Sequence, residues 1–272
     1  MNNNEEIQIS NDIKFKIKTI QSNSIKNLIE SLKDILTDTN IEITNNGLKI
    51  IAMDPSHTVL VHLKLEAKEF QEFVCNEEMI LGVNMINFYK LIKFIGNNDT
   101  LTLYVDKDNE SQLNIIMESS DKNCVTNYKL NLMDIPRENV EIPNLVFNSI
   151  ITMPSSDFQK LCRDLHNISN TVDIKSINNK LIFSSIGNIG SVEHIILENN
   201  NTLSLNENGE GQEQITQGNF LLKHLVMFTK CTSLSPTVLL YLKNDFPLII
   251  EYKISSLGCI RLCLAPISND DE

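Results

Sequence analysis

Residues 132–147, LMDIPRENVEIPNLVF, lie near the middle of the 272-residue chain and show neither helical nor strand periodicity. Pro136 and Pro143 lack a backbone donor and hold the residue before them extended. A segment of about 15 residues with no structure of its own is a linker or a functional loop. It divides the chain into two halves of similar size. Val140, Ile142 and Phe147 are apolar residues in an otherwise exposed kind of segment. They either fold back on the halves or help to build a docking surface.

Working outward, each half repeats one plan. In the first, Phe15 to Lys18 alternates as a strand. Ser24 is an expected cap for a helix whose apolar face is Ile25, Leu28, Ile29, Leu32, Ile35 and Leu36. Strands follow at about 41–43, 48–53 and 58–65, broken by the turns Asn45-Asn46-Gly47 and Asp54-Pro55-Ser56-His57. A second helix is expected after Asn84, on Phe88, Leu91, Ile92 and Ile95, and three more strands run up to the linker. In the second half Ser156 and Gln159 fit a capping box, and Phe158, Leu161, Cys162, Leu165 and Ile168 form the stripe. After further strands and an acidic loop at 199–213, a fourth helix is expected to start near Gly218-Asn219. Strands then run to Pro266. This is an α+β chain with internal duplication rather than alternating βαβ units.

All four helices place basic residues away from the apolar face: Lys26 and Lys33, Lys90 and Lys93, Lys160 and Arg163, Lys223 and Lys230. One such face is ordinarily just solvated, but four in a chain of net charge −12 form a pattern. That charge argues against a generally basic nucleic-acid binder, not against basic residues gathered on one surface. The polar, acidic start MNNNEEIQIS is not a secretory signal. No apolar run approaches the roughly 20 residues of a membrane span, so no membrane partner is expected. The six scattered cysteines show no CxxC pair or zinc spacing and read as reduced thiols, with neither metal nor cofactor expected.

Seven segments, in order, resemble the eukaryotic-type sliding clamps of the proliferating cell nuclear antigen (PCNA) family. They are GLKIIAMDPSHTVL (47–60), LGVNMINFYKLIKFIGNND (81–99), NLMDIPRENVEIP (131–143), MPSSDFQKLCRDLHNI (153–168), FTKCTSLSPT (228–237), FPLIIEYK (246–253) and LAP (264–266). The resemblance implies two similarly folded clamp domains, 15–131 and 148–266, joined by an interdomain connector at 132–147 and flanked by a flexible extension (1–14) and an acidic tail (267–272). It implies a head-to-tail homotrimeric ring around double-stranded DNA, helices inside and antiparallel sheets outside. The eight basic residues match the family's inner wall, where Lys and Arg contact phosphates without reading bases. Met53, His57, Val140, Ile142, Pro247, Ala265 and Pro266 match the partner groove. There, DNA polymerase, flap nuclease and ligase insert short glutamine/aromatic peptides. A clamp loader is a further implied partner. Tyr128, Val192 and Ile195 fall on the edges implied as the subunit interface.

The chain also departs from the family. Asn178 replaces a lysine that is ubiquitinated in many cellular members, and Leu262 and Cys263 replace consecutive tyrosines. Arg137 and Pro136 stand in a connector that is usually more acidic. The Asn/Ile/Lys-rich composition fits a divergent unicellular eukaryote or a large DNA virus, so the expected location is the nucleus or a cytoplasmic viral factory. Two alternatives to a homotrimeric, non-enzymatic clamp stay open. One keeps the fold as a subunit of a heterotrimeric checkpoint ring or as a monomeric viral processivity factor. The other is a hydrolase using Asp54, Ser56 and His57, although no nucleophile elbow, phosphate loop or metal signature accompanies them.

Overall fold

The structure, a computed structural model, describes residues 12–119, 121–137, 147, 149–177, 180–198, 204–207 and 216–267. The first half runs β1 (Ile13–Thr19), α1 (Ser22–Leu32), β2 (Asp38–Thr44), β3 (Gly47–Met53), β4 (Val59–Glu66), β5 (Glu72–Cys75), β6 (Met79–Asn84), α2 (Met85–Ile92), β7 (Asp99–Asp106), β8 (Asn109–Ser119) and β9 (Cys124–Asn131). The second runs β10 (Ser149–Pro154), α3 (Ser155–His166), β11 (Thr171–Ile177), β12 (Lys180–Gly187), β13 (Gly190–Leu197), β14 (Ser204–Glu207), β15 (Thr216–Leu221), α4 (Leu222–Phe228), β16 (Thr237–Leu242), β17 (Leu248–Ile254) and β18 (Gly258–Leu264). A 3-10 turn at Thr229–Ser233 follows α4.

The two lists match strand for strand, and so does the pairing. In the first half, β5-β1-β7-β8-β9 form one sheet and β4-β3-β2-β6 lie in sequence within another. In the second, the order β14-β10-β16-β17-β18 repeats the former and β13-β12-β11-β15 repeats the latter. The helices repeat as well. Ser22, Ile25, Leu28, Ile29 and Leu32 are buried on α1, and Ser155, Phe158, Leu161, Cys162 and Leu165 at the same spacing on α3. Such i, i+3, i+4, i+7 faces are what a helix lying on a sheet must bury. At the entry of each helix a serine hydroxyl donates to a distant carbonyl, Ser22 to Asp99 at 2.6 Å and Ser155 to Ser235.

The halves are joined by one antiparallel ladder between β18 and β4, from Gly258↔Leu65 to Leu264↔Val59, which makes a nine-stranded sheet. Gly258 has φ +158°, and a Cβ there would come within 2.0 Å of the Lys64 carbonyl, so the strands close only without a side chain. On the helix side α1 packs on the 3-10 turn of the other half, α1 on α2 and α3 on α4, giving one continuous helix layer. No helix among the described residues is long and apolar enough to cross a membrane.

Several local expectations are corrected. α1 starts at Ser22 with no side-chain cap, so Ser24 is inside the helix. α3 starts at Ser155, and the expected capping box does not form; Gln159 Nε2 instead donates to the Thr229 carbonyl at 2.9 Å. Residues 216–221 form β15, not the start of the fourth helix, because that stretch pairs with β11. Asn84 caps α2 as expected, its Oδ1 accepting from the Asn87 N–H at 2.9 Å. A strand, Ser204–Glu207, lies inside the stretch read as an acidic loop. β1 opens at Ile13, two residues before the expected start of the domain.

Candidate functional site: basic helix layer and outer groove

The basic residues sit on the helix layer in two different states. Lys90, Lys93, Lys160, Arg163 and Lys223 are exposed. Lys93 Nζ lies 4.8 Å above the Phe94 ring. Lys26 is half-buried and donates to the Ile95 carbonyl at 2.9 Å, tying α1 to the end of α2. Lys33 and Lys230, from opposite halves, converge on Asp34 at 3.0 and 2.6 Å. Burial alone would raise the Asp34 carboxyl, but the Lys230 and Lys33 ammonium groups outweigh it and hold it below its usual range. Three of the eight cations therefore already serve the fold.

The groove residues gather on the opposite, outer face at the joint between the halves. Ala265 N–H donates to the Thr58 carbonyl at 3.2 Å, bringing the end of β18 to the turn that follows Met53. That turn is built on Asp54, whose carboxylate accepts from the Ser56 hydroxyl and from the N–H groups of Ser56 (3.2 Å), Thr58 (2.9 Å) and Val59 (2.7 Å). Burial pushes its carboxyl up, but these donors prevail and leave it low. His57 is exposed at φ 54° on the same turn. The Ser56 hydroxyl is thus spent on Asp54, and the three residues of the hydrolase alternative form a turn rather than a nucleophile–base pair. Pro247 is exposed just before β17, one step beyond the Leu248↔Leu264 pair and so beside Ala265; Pro266 follows, half-buried. Val140 and Ile142 lie outside the described residues, as does Asn178. The start of the connector is seated on β6: Met133 bridges Gly82, and Asn40 Nδ2 donates to the Ile135 carbonyl at 3.0 Å. Phe147, at its far end, packs on Tyr241 with the ring centroids 5.4 Å apart and the planes tilted by 59°.

Strand register adds residues that the sequence reading missed. One row crosses the outer face in consecutive pairs: Met53, Leu60, Cys263, Ile249, Tyr241, Ile150. All six are half-buried. The equivalent row on the other matched sheets runs Ile186, Ser191, then Lys129, Asn114, Tyr104, Lys16, and is mostly polar. The duplicated fold thus carries an apolar outer row at one joint only. Its one signal in sequence was Ile249, an apolar residue on the outward face of the strand LIIEYKI at 248–254, where it precedes Glu251 and Lys253. Beside the row, Arg261 Nε meets the buried Glu251 carboxylate at 2.6 Å. Burial pushes the Cys263 thiol up to about 11, which keeps it a neutral, apolar part of the floor. Among the described residues no group of three or more His, Cys, Asp or Glu is placed to hold a metal.

The two half-chain units, with helices on one face and a shared sheet on the other, define a duplicated DNA-clamp protomer. Residues 14–140 match the family model for the N-terminal domain of proliferating cell nuclear antigen, and residues 141–267 match the one for its C-terminal domain. The chain belongs to the PCNA family of sliding clamps, the processivity factors of DNA replication and repair.

Proposed function

We propose that this clamp closes as a head-to-tail homotrimer around duplex DNA and tethers partner enzymes through the outer groove. The observation that carries the ring is an asymmetry in the duplication. β18 and β4 are paired within the chain, while their counterparts β9 and β13 are free sheet edges. An unpaired edge is a template for another strand, and a heterologous contact between unlike edges closes into rings. Among the described residues eight of the nine exposed large apolar residues, all but Ile20, fall at the same two places: Ile86, Phe94, Val125 and Met133 toward one, Ile186, Ile189, Ile195 and Leu197 toward the other. The set of exposed basic positions fits the interior of such a ring. Exposed Lys90, Lys160, Arg163 and Lys223 would make screened, interchangeable phosphate contacts that hold DNA without fixing its position.

The apolar row supports the docking of a glutamine/aromatic peptide of the kind carried by polymerases, flap nucleases and ligases. Leu60, Cys263 and Ile249 would take its apolar side chains, and the connector would border its backbone. A clamp loader would open the ring at one joint.

Light scattering after size exclusion tests the assembly. A species three times the 30.9 kDa chain mass, stable on dilution, is expected. A monomer at every concentration would overturn self-closure and turn attention to a mixed ring or a monomeric factor.

A further inference from the structure

The joint inside the chain is a template for the joint between chains, and it specifies residues. Matching β9 to β18 by their inward-facing residues sets Leu130 on Leu264 and Tyr128 on Leu262. Matching β13 to β4 in the same way sets Val192 on Val61 and Ile196 on Leu65. Leu262 opposes Val61 in the internal ladder. The same ladder between chains therefore puts Tyr128 opposite Val192 and Val125 opposite Ile195. The last two are outward-facing apolar residues, 49% and 50% exposed, and each would cover the other.

The helix layer gives a second, independent correspondence. At the internal joint Cys231, in the 3-10 turn after α4, is fully buried, and the Ser31 hydroxyl on α1 of the other half donates to the neighbouring Lys230 carbonyl at 3.2 Å. Beside it Lys230 reaches Asp34 at 2.6 Å. Counted from the buried first residue of each helix to the first buried residue of the next strand, Met85 to Leu101 and Leu222 to Val238 are equal in length, so Phe94 occupies the place of Cys231, and Lys93 that of Lys230. Phe94 is 68% exposed, its ring open to solvent apart from the Lys93 ammonium 4.8 Å above it, where its counterpart is sealed. On α3, Asp164 occupies the place of Ser31.

A third observation concerns a cleft of about 420 Å³ at the internal joint. It is walled by the end of α1 (Lys33 to Ile35), the turn at Asp54 and, across the joint, Lys223, His224 and Met227 of α4. A cleft of about 360 Å³ repeats the first two walls at His166 to Ile168 and Gly187 to Ile189, and lacks the third. The residues of α2 that occupy the α4 positions are Ile86, Asn87 and Lys90, and Ile86 is 42% exposed.

Resting on the homotrimer reading, we propose that the subunit joint of this clamp is locked on the helix side by Phe94 of one protomer. Phe94 packs on α3 of the next beside Asp164, Ile86 supplies the missing wall of the cleft at Ile168 and Ile189, and β9 and β13 pair with Tyr128 opposite Val192. The occupant of this surface is a second copy of the chain. The reason is complementarity with the duplicate: every element on one side has its counterpart already docked inside the molecule. Lys93, expected at the DNA-facing wall, stands in this arrangement beside the joint. There Asp164, one turn before the Asn167 that stands in the place of Asp34, is the carboxylate that α3 offers it.

Two measurements test the joint. Phe94→Asp should stay folded by circular dichroism, since the side chain is exposed in the protomer. It should raise the concentration at which the ring dissociates by about thirtyfold or more, as removal of a central aromatic anchor does. Phe94→Leu should keep most of the assembly. If wild type is trimeric and Phe94→Asp dissociates no more readily, the lock is overturned and the homotrimer stands. If wild type is monomeric throughout, the homotrimer fails and the lock with it. For the register, N127C with E193C in a C124S background should give covalent dimers and trimers on oxidation, because their counterparts Arg261 and His62 are directly opposed. N127C with I195C should not, and cross-linking of that pair in preference would overturn the register.

Discussion

Asp54 shows how much one side chain can organise. Its two oxygens take four donors within five residues, and the resulting turn presents His57 and meets the end of β18. Replacing it by Asn removes charge-assisted bonds that are about twice as strong as neutral ones, so Asp54→Asn should cost about 1–2 kcal/mol at neutral pH. The pH dependence follows from its sign. The folded carboxyl is held below its unfolded value, so its contribution is complete above about pH 4 and is lost as pH falls through the folded pKa. Urea unfolding of wild type and Asp54→Asn should therefore diverge at neutral pH and converge in acid. A gap that persists unchanged at pH 3 would assign the stability to something other than this charge.

At the scale of elements, the same topology occurs twice with different surfaces. Away from the edge strands β9 and β13, both halves bury most of their inward rows, since a sheet under a helix layer must be apolar on that side. The outward rows are freer to differ, and it is there that Leu60, Cys263 and Ile249 replace Ser191, Lys129 and Asn114. Function is written on the face that folding leaves unconstrained. Leu60 is half-buried and points outward from β4, so Leu60→Asp should leave the fold intact while weakening a glutamine/aromatic peptide by about tenfold or more. Fluorescence titration with such a peptide would show it. An unchanged curve would place docking elsewhere.

For the whole molecule, a chain of net charge −12 is proposed to hold DNA through a cationic lining. Reversal of Lys90, Lys160, Arg163 and Lys223 to Glu leaves out Lys26, Lys33 and Lys230, which serve the fold. Compared at a concentration where light scattering shows it assembled, the fourfold variant should lose retention on circular DNA and show a shallower salt dependence, since fewer counterions are displaced. Retention equal to wild type would remove these residues from the DNA-facing surface. Acid elsewhere on the chain disfavours DNA on other surfaces, which is the sense in which net charge and local charge act together.

Much of this was legible in one dimension. Helical and alternating patterns disclose four helices among strands, two prolines mark the connector, and repeated basic pairs stand out because periodicity reports which face is buried. Helix starts were less legible. Ser24 and Ser156 carry the chemistry of caps, but Ser22 and Ser155 begin the helices because each reaches a carbonyl about 80 residues away. The strand at 216–221 reads as a helix start in sequence because only its pairing with β11, a contact distant in sequence, makes it a strand. The groove row and the lock at Phe94 were out of reach for the same reason. Leu60, Cys263 and Ile249 are unremarkable singly, and adjacency across strands exists only once register is set. Phe94 reads as one more apolar residue at the end of a helix until its counterpart, Cys231, is seen buried at a joint. Local free energies determine which residues turn inward. Which strands find a neighbour is decided by long-range pairing, which joins β18 to β4 and leaves their counterparts β9 and β13 at sheet edges.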